Sequence, residues 1–105
     1  MTREIILDTE TTGLDPKKGD RIIEIGCLEL ENLQPTGRQF QAYINPERSV
    51  SEKTIEITGL TDAHLMDKPV FADIVESFLE FIGDDPLIIH NASFDMGFLN
   101  AELER

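Results

Sequence analysis

Asp8 and Glu10 stand one residue apart at the end of the apolar run Ile5-Ile6-Leu7, and Thr11-Thr12-Gly13 follows them. Side chains alternate faces along an extended strand, so both carboxylates project from the same face, with Cα atoms about 6.5–7 Å apart. Two anions crowded at the end of a buried strand lose hydration and repel each other, which costs stability unless a counterion joins them. A hard, oxygen-seeking divalent cation such as Mg²⁺ or Mn²⁺ answers that chemistry. The same spacing also fits acids that end a strand in solvent, with Thr-Thr-Gly as an ordinary turn. On these residues alone both readings stand.

A second acid-bearing stretch, His90-Asn91-Ala92-Ser93-Phe94-Asp95, follows the apolar run Leu87-Ile88-Ile89. The pattern predicts a short buried strand over residues 87–90 that turns at 91–93 into a helix running from about Phe94 to the end of the chain. Asp95 then falls in the first helical turn, where the helix dipole favours a carboxylate whether or not it has a further role. With its strand beside the first one, Asp95 would lean toward Asp8 and Glu10, giving three carboxylates at one rim of a sheet.

The remaining segments must build that sheet. Residues 4–8 are apolar on both faces, which predicts a central strand. Pro16, Gly19 and charged residues mark 14–20 as a loop. Residues 21–30 are β-branched and partly alternating, residues 32–37 carry Pro35 and Gly37 as a turn, and Phe40, Ala42 and Ile44 recur at period two in 38–45, so an antiparallel hairpin is expected. Two short helices over 51–57 and 61–66, capped by Ser51 and Thr61, are separated by Thr58-Gly59. Phe71, Ile74, Val75, Phe78, Leu79 and Ile82 form one apolar helical face over 69–82, with Pro69 in the first turn and Gly83 as the stop. Hairpin pairing first and a helix crossover later predict an α/β fold with a mixed sheet.

The chain has 105 residues, room for one domain with a small core, and carries 21 acids against nine Lys and Arg, a net charge of −12. That balance argues against broad binding to a phosphate backbone, but not against an enzyme that grips a few terminal nucleotides through metal ions. No stretch approaches the roughly 20 apolar residues of a membrane span, and no secretory leader precedes the first strand. The single Cys27 reads as a small buried hydrophobe in a reducing, cytoplasmic setting.

Taken together, the two acidic stretches resemble the DEDD family of 3′–5′ exonucleases. Asp8-Thr9-Glu10-Thr11-Thr12-Gly13 is similar to its first motif, and His90 to Asp95, with Gly97-Phe98-Leu99 after it, to its second; Arg21 to Gly26 and Thr58-Gly59-Leu60-Thr61 also match family segments. The resemblance implies a ribonuclease-H-like fold, a five-stranded mixed sheet flanked by helices, and an exonuclease domain over 1–105. It implies that Asp8, Glu10 and Asp95 are catalytic acids holding two divalent ions, Mg²⁺ or Mn²⁺, that hydrolyse the terminal phosphodiester of a DNA 3′ end in proofreading. It places Thr11, Thr12, Gly13, Asn91 and Phe94 around the last nucleotide. A turn role for Gly13, a core role for Phe94 and a structural role for His90 remain alternatives.

The subgroup resembled, DEDDh, also has a third motif, His-x-x-x-x-Asp, which supplies a general base and a fourth acid. Neither His64-Leu65-Met66-Asp67, with its shorter spacing, nor His90 and Asp95, already in the second motif, provides it. The 105 residues therefore read as the first two-thirds of such a domain, lacking the last strand and helix. Apolar surface left uncovered on the sheet is then expected, with a marginal monomer or a homo-oligomer as the consequence. Single-stranded DNA, RNA and DNA polymerase subunits are the partners the resemblance implies. The alternative is a domain that binds a nucleotide, a nucleic-acid end or a partner subunit without turnover.

Overall fold

The hydrophobic runs pair as one mixed sheet in a computed structural model that describes residues 2–104. Its strands are β1 (Arg3–Thr11), β2 (Ile22–Glu31), β3 (Gln34–Tyr43) and β4 (Leu87–Ile88), in the order β3-β2-β1-β4. β1 pairs antiparallel with β2, β2 antiparallel with β3, and β4 runs parallel to β1 through Ile5↔Leu87 and Ile6↔Ile88. Between β3 and β4 lie α1 (Glu52–Thr58), α2 (Asp62–Leu65) and α3 (Phe71–Ile82), and α4 (Ala92–Leu103) follows β4. No described helix is long and apolar enough to cross a membrane.

One face of the sheet holds the core. Ile5, Leu7, Ile22, Ile25 and Cys27 meet Phe71 and Phe78 of α3 and Phe98 and Leu99 of α4. Burial among these apolar groups raises the Cys27 thiol to about 12, so it packs as a hydrophobe, as expected. The other face carries the uncovered surface foreseen from the sequence. Ile6, Leu28 and Ile88 lie on neighbouring strands in register and are 37%, 46% and 41% exposed.

Several boundaries differ from expectation. β1 continues to Thr11, so Asp8 and Glu10 sit within the strand, hydrogen-bonded alongside β2, rather than where it runs out. The hairpin turns at Asn32-Leu33, whose φ values of 51° and 67° give the left-handed backbone of a tight two-residue turn. Pro35 and Gly37 therefore lie inside β3, which tolerates a proline because it is an edge strand. Pro69 precedes α3 instead of opening it; Val70 is the cap residue and the Pro69 carbonyl accepts from Asn45 N at 2.8 Å. β4 has two residues, with Ile88 exposed, and Ile89 and His90 fall outside it because α4 starts at Ala92, earlier than predicted. Arg105, the end of the expected helix, lies outside the described residues.

Two ion-pair sets fix the helices to the sheet. Arg3 donates to Glu29 at 2.5 Å, to Asp85 at 2.6 Å and to the Phe81 carbonyl at 2.6 Å, closing the C-terminal end of α3 against β1 and β2. At the other end Arg21 donates to both carboxylate oxygens of the buried Glu102, with a shortest contact of 2.6 Å, and Ile22 N donates to the same group at 3.1 Å. Truncating Glu102 would leave a half-buried guanidinium and the buried backbone N–H of Ile22 without their acceptor. Glu102→Ala is expected to lose about 3–5 kcal/mol in urea denaturation. Asp67→Ala, which breaks only the exposed Lys68–Asp67 contact at 3.7 Å, is expected to lose under about 1 kcal/mol in the same measurement.

Candidate active site at the end of the first strand

The alternation along β1 places Thr9 and Thr11 on the buried side and Asp8 and Glu10 on the other. The register with β2 shifts between Glu10 and Thr11: Glu10 opposes Glu24, whereas Thr11 opposes Ile22. A bulge of this kind increases local twist and re-aims side chains. Ile22 thus joins the main core, while Ile23 joins a second cluster with Val50, Leu60 and Leu65 beneath α1 and α2. Asp8 lies opposite Gly26, where an added Cβ would meet no atom within 4 Å. A hollow of about 100 Å³ opens there, lined by Asp8, Glu10, Glu24 and Gly26. Among the described residues neither Asp8 nor Glu10 is held by a hydrogen bond or ion pair.

Asp95 approaches from the helix side. It is buried in the first turn of α4, where Thr9 Oγ1 donates to its Oδ1 at 2.5 Å. The turn is set by Asn91, in the left-handed region at φ 55°, whose carbonyl accepts from Phe94 N at 3.0 Å and Asp95 N at 3.4 Å. Burial, followed by the charges of Asp8, Glu24 and Asp95, raises the Glu10 carboxyl above its ordinary value. Burial also raises Asp95, and the Thr9 hydrogen bond, opposing it, outweighs the added push from Asp8. The three predicted acids therefore sense one another across β1. Even so, among the described residues no three His, Cys, Asp or Glu side chains converge closely enough to hold one ion by themselves. The arrangement is a looser rim than three converging carboxylates.

Beside Glu10 a cleft of about 240 Å³ is lined by Thr11, Gly13, Leu14, Ile57 and Phe94, among others. Leu14 and Ile57 are 81% and 73% exposed, so the cleft has apolar walls that the fold itself does not bury. The Phe94 ring lies 5.0 Å from that of Phe98 in the core and also lines the cleft. Asn91 is exposed, lies outside the cleft lining and makes the backbone turn before Asp95.

Thr12 also has a structural task. It is buried, its Oγ1 donates to Asp20 Oδ1 at 2.9 Å and accepts from Arg21 N at 3.0 Å, and its carbonyl accepts from Thr54 Oγ1 at 3.1 Å. These bonds hold the loop and α1 together as the cleft's two sides. Thr11 is likewise turned inward, its Oγ1 donating to the Gly13 carbonyl at 2.6 Å. Gly13 lines the cleft and also passes close to Asp20: a Cβ would lie 2.5 Å from Asp20 Oδ2. The sequence reading missed Thr9, Asp20, Thr54, Leu14 and Ile57. Thr9 was findable as the residue facing inward between the two acids, whereas the others act through contacts between distant segments.

A raised carboxyl binds its proton more tightly in the folded than in the unfolded chain, so Glu10 and Asp95 favour folding at low pH. That contribution is lost as pH rises from their ordinary values of 4.5 and 3.8 through the higher folded ones. Asp8→Asn removes a charge that raises both. Without divalent ions, thermal unfolding of Asp8→Asn is expected to match the parent chain near pH 4 and to exceed it by a few degrees at pH 7. Gly13→Ala, which displaces the Asp20 carboxylate, is expected to destabilise by about 1–3 kcal/mol in the same series.

A family model described as Exonuclease (RNase_T) matches residues 5–105. The chain is 58% identical over 101 residues to DNA polymerase III subunit epsilon of Rickettsia conorii, covering 96% of this chain and 44% of that protein. It is 47% identical over 106 residues to the subunit of the same name from Salmonella typhimurium, covering 97% and 44%. The chain thus spans less than half the length of these relatives. Among solved structures, Exonuclease X in complex with 5′ overhanging duplex DNA superposes with a TM-score of 0.76 at 28% identity, over 90% of this chain and 52% of that one. E. coli Exonuclease I in complex with a dT13 oligonucleotide gives 0.79 at 19% identity, over 98% and 24%, a likeness of fold. The mixed sheet with flanking helices is accordingly the ribonuclease-H-like fold of these exonucleases, and the chain belongs to the Exonuclease (RNase_T) family.

Proposed function

We propose that these residues form the larger part of a metal-dependent 3′–5′ exonuclease site that removes nucleotides from DNA 3′ ends, in proofreading beside DNA polymerase subunits in the cytoplasm. The observation that carries the reading is a pair of carboxylates, Asp8 and Glu10, without compensating partners among the described residues, next to an apolar-walled cleft and within electrostatic reach of Asp95. An all-carboxylate donor set suits hard ions, so Mg²⁺ or Mn²⁺ fits the chemistry of Asp8, Glu10 and Asp95. Two such ions would supply an activated water and neutralise charge at the scissile phosphate. Leu14, Ile57 and Phe94 would sandwich the terminal sugar and base, and Thr9 would hold Asp95 in position through its hydroxyl. Hydrolysis breaks the bond between phosphorus and the 3′ oxygen of the preceding nucleotide, and the water's oxygen takes its place.

A second reading is an end-binding domain without turnover, in which neither described histidine takes up the water's proton. Attack by water needs a proton acceptor. His64 sits on α2 in edge contact with Tyr43, 5.0 Å between ring centroids, and His90 is exposed five residues before Asp95. A general base contributes typically about 10²–10⁴-fold, so its absence would leave binding with little hydrolysis.

Two measurements test these readings. A divalent ion at about 100 times its dissociation constant stabilises the folded state by about 2.7 kcal/mol. Mn²⁺ is therefore expected to raise the melting temperature of the parent chain by several degrees and that of Asp8→Ala by much less. Equal shifts would overturn the metal site. Metal-dependent release of mononucleotides from a 3′-end-labelled single strand supports the exonuclease; metal binding without release supports the end-binding domain. RNA in place of DNA in the same assay decides the sugar preference.

A further inference from the structure

The cationic residues divide into two groups. Away from the cleft, each described cation is engaged by a carboxylate: Arg3 and Arg38 by Glu29, Arg21 by Glu102, and Lys68 by Asp67. Among the described residues, Lys17, Lys18 and Lys53 have no carboxylate within 4 Å, although the chain carries 21 acids. These three lysines are not scattered. Lys53 is exposed on α1 and lines the cleft, and Lys17 and Lys18 are exposed in the 3-10 turn Pro16–Lys18, on the loop that leaves the cleft at Gly13 and Leu14.

The two segments are fastened together. Thr54 Oγ1 donates to the Thr12 carbonyl at 3.1 Å, and Arg48 lies 3.4 Å from Asp20 Oδ1 and donates to the Lys18 carbonyl at 3.5 Å. The free ammonium groups thus lie on the two fastened segments, the loop and α1, that border the cleft, on a protein whose net charge of −12 would otherwise repel a polyanion. Lysine on an exposed turn is a point charge suited to phosphate, with no demand on base identity.

We propose that Lys53, Lys17 and Lys18 form a track for the phosphates of the nucleic-acid strand upstream of the 3′ nucleotide held in the cleft. The proposal rests on the cleft reading above and adds the direction in which the strand leaves it, over the turn at Pro16–Lys18. The acids then bind the end, and the lysines supply the salt-dependent grip on the strand behind it. A strand of DNA or of RNA offers the same phosphates, so the polymer is a separate question from the path.

The test is fluorescence anisotropy of labelled oligothymidylate and oligouridylate, with dTMP as competitor, in Ca²⁺ buffer between about 50 and 200 mM salt. Each phosphate neutralised contributes about −0.7 to the slope of log affinity against log salt for a single strand. The triple variant Lys17→Gln, Lys18→Gln, Lys53→Gln is expected to flatten the slope by about 2 and to weaken binding at low salt by about tenfold or more. A charge-matched control, Gln34→Glu, Gln39→Glu and Lys68→Gln, is expected to keep the parent slope. An unchanged slope in the triple variant, or equal flattening in the control, overturns the track while leaving the cleft reading intact if dTMP still competes. Failure of dTMP to compete against the parent chain overturns the cleft reading itself. Parallel flattening with both polymers supports a phosphate track; flattening with one alone overturns a purely phosphate-based path.

Discussion

Everything at this site depends on the two-residue alternation of β1. The strand lies between β2 and β4, bonded to β2 along its length and to β4 at Ile5 and Ile6, so its side chains have only two directions available. Ile5 and Leu7 fill the core on one side, and Thr9 and Thr11 continue the same row into polar contacts. Ile6, Asp8 and Glu10 occupy the other side. A slip of one residue in register would bury both acids and expose the core residues, so the hydrophobic packing of Ile5 and Leu7 also enforces the placement of Asp8 and Glu10. The bulge opposite Glu10 then bends the strand end so that Glu10 borders both the acidic hollow and the apolar-walled cleft.

Charge is used in two opposite ways. At the far end of the sheet, Arg3, Arg38 and Thr36 surround Glu29, and the hydrogen bond from Arg3 leads in holding its carboxyl below the usual range. Arg21 and Glu102 satisfy each other beneath α4. These charges fasten helices. At the rim, burial and the charges of Asp8 and Asp95 raise the Glu10 carboxyl, and burial and Asp8 raise that of Asp95 against the opposing Thr9 hydroxyl and His90. Stabilising pairs and an acidic rim with raised carboxyls thus stand in one small domain, the pairs fastening helices and the rim left without a counterion among the described residues. The Arg21–Glu102 contact links the two uses, because anchoring the end of α4 also fixes the turn that carries Asp95.

The sequence and the folded chain contributed in different measure at different residues. The order of strands and helices, the apolar face from Phe71 to Ile82 and the shared face of Asp8 and Glu10 were all legible, because each follows from a local period. Turn placement was less so: Pro35 and Gly37 look like a turn, yet the edge position of β3 accommodates both, and the left-handed pair Asn32-Leu33 makes the turn instead. The family resemblance places Thr12 and Gly13 at the nucleotide; their contacts to Asp20, eight and seven residues on, are legible only in the folded chain.

What the sequence by itself determined is the chemistry: an Asp-x-Glu on a buried strand and an Asp in the first turn of a later helix, types and spacings that local geometry converts directly into positions. What only the tertiary structure decided is how those acids relate and what surrounds them. Thr9 reaching Asp95 across 86 residues, the cleft between Leu14 and Ile57, and the gathering of Lys17, Lys18 and Lys53 on the segments that border it all depend on contacts between segments distant in the chain. Periodicity specifies which way a side chain points from its own backbone. It carries no information about which other segment will be there to meet it.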